Sequence, residues 1–210
     1  KEIRVIYNFV DAKRFHRHHP TGCSNALAPN GEKILVHVSN FRPIKRVKDA
    51  VLVFKKVWEK MPAKLLLIGD GPDRPLIESM CRELGICQDI RFIGKQEQLE
   101  DILGCSDLFL LPSEYESFGL AALEAMASEV PVISSNAGGL PEVNIQGKTG
   151  FLSPVGDIDA MAENAIMLLE NPLMMAQFRK QAYRQAKKFE IAKIIPQYEA
   201  LYQELIPQPV

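Results

Sequence analysis

No two cysteines in this chain stand at C-x-x-C spacing. Cys23, Cys81, Cys87 and Cys105 are scattered through 210 residues, which excludes a zinc ribbon or a dithiol redox motif. Four separated thiols fit a reducing cytosol better than a disulfide scaffold, so a cytoplasmic protein is expected. An excess of charge is also lacking. The net charge of -1 leaves no electrostatic footprint for nucleic acid and no polyanionic tail. Apolar runs such as Leu65 to Ile68 and Leu108 to Leu111 fall far short of the ~20 residues of a membrane span. No signal-peptide pattern opens the chain, and no repeat or low-complexity tract interrupts it. P-loop and G-x-S-x-G motifs are absent. Gly69-Asp-Gly71-Pro72 lacks the third glycine of a dinucleotide fingerprint, and Pro72 stands where that helix would open. A tight turn is the simpler reading, which counts against an NAD-dependent dehydrogenase.

What is present is a hydrophobic content of 47%, enough for one well-cored domain over residues 1–210, with two small ones as the alternative. The chain lacks an initial Met and begins at once with a strand-like Ile3 to Tyr7, as if cut from something longer. From residue 33 onward, strands and helices alternate. Strands are predicted at 34–38, 64–68, 90–93, 107–111, 131–134 and 151–152. Helices are predicted at 47–59, 75–84, 96–103 and 118–128. The first of these carries Val47, Val51, Phe54 and Trp58 on one face, and Gly85 is placed to stop the second. Such alternation with near-continuous apolar strands predicts an α/β fold, a Rossmann-like parallel sheet with helices on both faces. After Asp157 the pattern is helical: 158–170, 172–188 with Asn171 as cap and Pro172 at the first position, and 191–205. Residues 12–32 read as an irregular loop.

The chemistry is expected at the carboxyl ends of the strands, where ligands collect in open α/β sheets. Those ends carry Ser39 to Arg46, Gly69 to Pro72, Gly94-Lys95, Pro112 to Gly119, and Ser135 to Glu142. The junction at Glu116 to Gly119 passes from strand to helix and presents unpaired backbone N–H groups to an anion. Glu116 and Glu124 flank it, at most ~12 Å apart along the axis at ~1.5 Å per residue. That span suits an extended ligand with a central phosphate. Singly, each reads as easily as a dipole-favoured or solvated helix glutamate. Glu124, however, sits among Leu120, Leu123, Ala125 and Met126, and must face a buried partner or a cleft. Arg42, Lys45 and Arg46 follow a strand directly, and at least one is expected to reach the cleft and bind phosphate. Gly138-Gly139 permits either a close backbone approach to a ligand or a plain loop. Asp157-Ile-Asp159 has the form of a metal clamp but is better explained as a helix cap. His16, His18 and His19 read as a solvated loop, since their spacing fixes no coordination geometry.

Glu116-Ser-Phe-Gly-Leu-Ala-Ala-Leu-Glu124, Arg42 with Lys45, Gly69 to Pro72, Gly138 to Glu142, Tyr7 to Asp11 and Gly147 to Leu152 together resemble the retaining GT-B glycosyltransferases of family 4. The resemblance covers almost the whole chain. It implies the C-terminal, donor-binding half of a two-domain enzyme, inactive alone, with the acceptor domain outside this chain. By resemblance, Glu124 would hold the ribose hydroxyls and Glu116 would lie near the transferred sugar. The Phe118, Gly119 and Leu120 amides would bind the diphosphate or sugar, and Arg42 and Lys45 would neutralise the leaving diphosphate without a metal or other cofactor. Gly94 and Lys95 would contact the base, and Gly71 would line the donor site. Ser39 to Val47 and Tyr7 to Asp11 resemble the bacillithiol-pathway branch, implying a UDP-N-acetylglucosamine donor and a small acceptor such as L-malate. A polysaccharide or lipid acceptor, or a non-catalytic nucleotide-binding module, are the alternatives. Nothing in the sequence specifies an oligomeric state. In this chain Arg42 stands closer to Lys45 than the arginine does in many relatives, which leaves open whether Arg42 or Arg46 pairs with Lys45.

Overall fold

The computed structural model describes residues 3–17 and 26–206. Six parallel strands form one sheet: β1 (Lys33–Val38), β2 (Ala63–Ile68), β3 (Ile90–Gly94), β4 (Leu108–Leu111), β5 (Val132–Ser135) and β6 (Gly150–Ser153). Their order across the sheet is β3-β2-β1-β4-β5-β6. The connections run outward in one direction from β1 and in the other from β4, so the chain reverses between those two strands. Their carboxyl ends flank the natural ligand crevice of a doubly wound sheet. β1 and β4 pair only at Leu35 with Leu108 and Val36 with Phe109.

The strands are apolar on both faces because both faces are covered. Leu35, Leu65, Leu67, Leu108, Leu110 and Ile133 point into one core layer. Ile34, Val36, Leu66, Ile68, Phe109, Leu111 and Val132 point into the other. On the first side pack α1 (Val47–Trp58), α2 (Arg74–Glu83) and α6 (Ile158–Glu170); on the second, α3 (Leu99–Cys105), α4 (Leu120–Ala127) and the short α5 (Leu140–Val143). The helix α7 (Pro172–Ala186) serves both, through Met175 and Phe178 on one side and Ala182 and Ala186 on the other. Asp157 and Asn171 cap α6 and α7 by accepting from the N–H groups of Ala160 and Met174, each at 3.0 Å. The metal-clamp form of Asp157-Ile-Asp159 is thereby explained as a cap, and Asp159 pairs with Lys56 at 2.7 Å.

Several expectations are corrected. Trp58 is not part of the buried face of α1; it lies at the rim and donates its indole N–H to Asp89 at 2.8 Å. Ala50, Val53 and Val57 complete that face instead. Residues Ile3 to Tyr7 form no strand: Ile3 and Val5 are 89% and 71% exposed. This segment lies along the last helix, α8 (Ile191–Leu205), where Arg4 pairs with Glu204 at 2.8 Å. Val10 then makes a single parallel bridge to Glu190. Cys81 and Cys87 are free thiols, but Cys105 is disulfide-bonded, against the expectation of four thiols. His18, His19 and Cys23 lie outside the described residues, whereas His16 turns its Nδ1 to the carbonyls of Lys13 and Arg14. Among the described residues no helix is long and apolar enough to cross a membrane.

Candidate active site at the β1–β4 crevice

Beyond β1 the chain leaves the sheet through Ser39 and Asn40, and buried Phe41 anchors it before a 3-10 turn over Pro43–Lys45. Gly69 and Gly71 back onto this loop: a Cβ at Gly69 would stand 1.8 Å from the Ser39 carbonyl oxygen, and one at Gly71 2.6 Å from that of Phe41. The Gly69-Asp-Gly71 turn is therefore a backbone-to-backbone brace that fixes where the β1 loop runs. The turn aims Lys45 across the crevice at the loop that follows β4. There its Nζ lies 2.7 Å from Glu116 Oε1, and Ser113 Oγ donates to the same oxygen at 2.9 Å. The Glu114 N–H donating to the Ile44 carbonyl at 2.8 Å ties the two loops directly. Glu116 is largely screened from water, so its attraction to Lys45 is stronger than for a surface pair.

The helix α4 opens at this point. Gly119 takes φ 93°, the left-handed conformation natural to glycine, and the first helical bond runs from the Leu123 N–H to the Gly119 carbonyl at 3.1 Å. The N–H groups ahead of it have no helical carbonyl to reach and sit at the positive end of the helix dipole. A cavity of about 350 Å3 collects these parts, lined among others by Asn8, Ser39, Lys45, Glu116, Phe118 and Gly119. Its position is the crevice between β1 and β4. The Phe118 side chain turns away into the core, where it meets Tyr7 and Phe189 with ring centroids 5.9 and 5.5 Å distant.

Of the residues expected to act together, Glu116, Lys45, Phe118, Gly119 and Leu120 meet at this cavity. Arg42 is exposed and outside its lining. Arg46 also stays outside the lining, its Nε held by Asp49 Oδ2 at 2.6 Å. Among the described residues, Lys45 is thus the cation that lines the cavity. Gly138 and Gly139 do not approach the cavity as ligand contacts: Cβ atoms there would stand 1.9 Å from the Glu116 carbonyl and 2.3 Å from that of Ser117. They hold the Glu116–Phe118 loop from behind, with the Gly139 N–H donating to the Glu116 carbonyl at 2.8 Å. Gly94 ends β3 and Lys95 follows it, at the sheet edge two strands from β1, with open space beside Gly94. Glu124 does not line the cavity. Burial pushes its carboxyl up to about 7, with Arg14 opposing the rise and Glu100 adding to it.

Sequence reasoning placed Ser39 and Asn40 at a ligand-facing strand end and Asn8 in a shared motif without giving any of them a role, and it passed over His37. Asn8, Ser39 and Asn40 line the cavity, and the signal for the last two was a polar pair directly after an apolar strand. His37, fully buried, places Nδ1 2.8 Å from the Leu110 carbonyl and Nε2 2.8 Å from Ser39 Oγ. A lone histidine inside Ile34 to Val38 marked it. Burial holds its ring pKa at about 4, against the pull of the Leu110 carbonyl and of Glu116, so the imidazole is neutral at physiological pH.

Comparison with known proteins places this arrangement. The chain is 41% identical over 208 residues to N-acetyl-alpha-D-glucosaminyl L-malate synthase of Bacillus anthracis, covering 98% of this chain and 55% of that protein. It superimposes on sucrose-phosphate synthase from Thermosynechococcus elongatus with TM-score 0.85 and 28% identity, covering 96% of this chain and 52% of the other. S. aureus TarM, solved in complex with alpha-GlcNAc-glycerol and UDP, gives TM-score 0.84 at 25% identity, covering 96% and 40%. The chain therefore spans about half the length of the relatives it matches. The sequence model described as "Glycosyl transferases group 1" matches residues 24–185. With that match and a Rossmann-like sheet shared with GT-B glycosyltransferases, the chain belongs to the group 1 glycosyltransferase family.

Proposed function

We propose that this chain is the donor-binding half of a retaining, metal-independent glycosyltransferase that takes N-acetylglucosamine from UDP and delivers it to a small acceptor, L-malate. The observation that carries the reading is Lys45 paired with Glu116 at the N-terminus of α4, in the β1–β4 crevice. A diphosphate entering there meets the ammonium of Lys45 and the free amides at Gly119 and Leu120, groups that stabilise negative charge as the glycosidic bond breaks. These are the tasks a divalent cation performs on a diphosphate elsewhere, which is why none is invoked. Glu116, hydrogen-bonded by Lys45 and Ser113, is held still beside the sugar. No protein nucleophile is assigned; the acceptor attacks from the face the diphosphate leaves. Glu124 takes the ribose hydroxyls, Gly94 and Lys95 the base, and Arg42 stays at the mouth of the crevice as a secondary cation. The choice of donor sugar and acceptor rests on likeness to a relative whose name states both. The acceptor site belongs to the part of the enzyme outside this chain, so the chain alone does not turn over.

Calorimetry of this chain with UDP at up to millimolar concentration tests the donor site, and a folded chain that takes up no UDP overturns it. In an enzyme carrying both halves, Glu116→Ala is expected to abolish transfer with the melting temperature unchanged. Transfer retained at the wild-type rate would remove Glu116 from the chemistry.

A further inference from the structure

We infer that buried His37 makes Ser39 an acceptor-only contact on the wall of the donor cavity, so that Ser39 selects a hydroxyl or amide N–H of the donor and turns its phosphates away. The argument starts at Leu110, whose carbonyl oxygen can only accept a hydrogen bond. His37 Nδ1 lies 2.8 Å from it and must carry the proton. In a neutral ring the other nitrogen, Nε2, then holds a lone pair. The ring is neutral because it is fully buried, which keeps its pKa at about 4. Ser39 Oγ stands 2.8 Å from Nε2 and donates its one proton there. What remains of the Ser39 oxygen is lone pairs, and Ser39 lines the cavity.

The cavity is thereby divided by chemistry. Lys45 and the amides at the start of α4 offer donors to anionic oxygens, whereas Ser39 offers none. A fully ionised phosphate oxygen near Ser39 would meet lone pair against lone pair. A sugar or ribose hydroxyl, or an acetamido N–H, would gain a hydrogen bond there. His37 touches no ligand in this scheme and is a positioning residue; Phe41, with its ring centroid 6.3 Å from that of His37, helps wall the imidazole off from water. The inference rests on the crevice being the donor site, and the two can fail separately.

Two measurements decide it. NMR of the chain with 15N-labelled histidine, with His37 assigned by the His37→Gln variant, reads the ring from pH 5 to 8. A neutral ring protonated at Nδ1 is expected; a neutral ring protonated at Nε2 overturns the inference whatever the ligand. Calorimetry then titrates the chain with UDP-N-acetylglucosamine and with inorganic pyrophosphate. Ser39→Ala is expected to weaken the sugar nucleotide about three- to tenfold, the scale of one hydrogen bond, and to leave pyrophosphate within about twofold. Equal losses for both ligands, or no loss for either, overturn it. His37→Asn keeps an N–H toward Leu110 but gives the Ser39 proton nowhere to go, so the hydroxyl is freed to donate. Pyrophosphate should then bind more tightly relative to the sugar nucleotide. His37→Gln sets an amide oxygen near the place of Nε2 and should restore the wild-type ratio; a ratio unchanged in the Asn variant, or unrestored in the Gln variant, counts against the inference. A wild-type chain that binds neither ligand overturns the donor-site reading, while the NMR result still decides the state of the ring.

Discussion

Glu124 occupies the second turn of α4 among buried neighbours, and its carboxyl is raised from an ordinary 4.5 to about 7, chiefly by burial. A carboxyl raised in the folded state binds its proton more tightly there than in the unfolded chain. Its contribution is favourable below about pH 4.5 and fades as pH climbs to about 7, so stability falls across that window. The loss is on the order of 3 kcal/mol. Glu124→Gln should flatten the profile: urea unfolding is expected to find the variant more stable than the wild type at pH 8 and close to it at pH 4.5. Equal pH dependence in both proteins would show that the glutamate is better solvated than its surroundings indicate. At this scale the sequence was informative where composition clashed with context. A glutamate in an apolar helix and a histidine in an apolar strand both mark sites where burial changes chemistry. It was uninformative about Arg42 and Arg46, since which of three adjacent cations faces the crevice depends on a 3-10 turn and on Arg46 adopting φ 48°.

Elements were legible by periodicity, and their ends by caps. Helix α8 coincides with its predicted span, and α7 begins at the Asn171-Pro172 signal. Helix α4 starts two residues later than expected because Phe118 faces the core from the loop and Gly119 takes the turn. The short α5 escaped prediction altogether, four residues being too few for a helical period to show. Its leading glycines matter most through the loop they support. Gly138 has φ 57° and no room for a side chain beside the Glu116 carbonyl. Gly138→Ala is expected to cost about 3 kcal/mol or more and to weaken UDP binding by displacing the Glu116 loop. Gly147→Ala, at φ 67° but with open space, should cost about 1 kcal/mol. Thermal denaturation of the two variants side by side measures the difference, and similar melting temperatures would deny Gly138 its bracing role.

Across the whole molecule, alternation of strand and helix specified a parallel sheet and put ligands at its carboxyl edge. Strand order was not legible, because it is set by which way each crossover turns rather than by any local pattern. With that order known, β1 and β4 become neighbours and the crevice has its address. The N-terminal segment was misread for a related reason: Ile3 to Tyr7 has a strand's composition, but the sheet ends at β3 and β6 without it. Its contacts lie at the opposite end of the sequence. Val10 donates to the Phe189 carbonyl at 2.9 Å and accepts from the Ile191 N–H at 3.0 Å, while Tyr198 reaches the Ile6 carbonyl at 3.4 Å. The described residues 6–10 therefore lie against residues 189–198. Because Asn8 lines the cavity and Tyr7 rests on Phe118 at that same corner, any displacement of the Ile3 to Tyr7 segment is felt at the cavity wall itself.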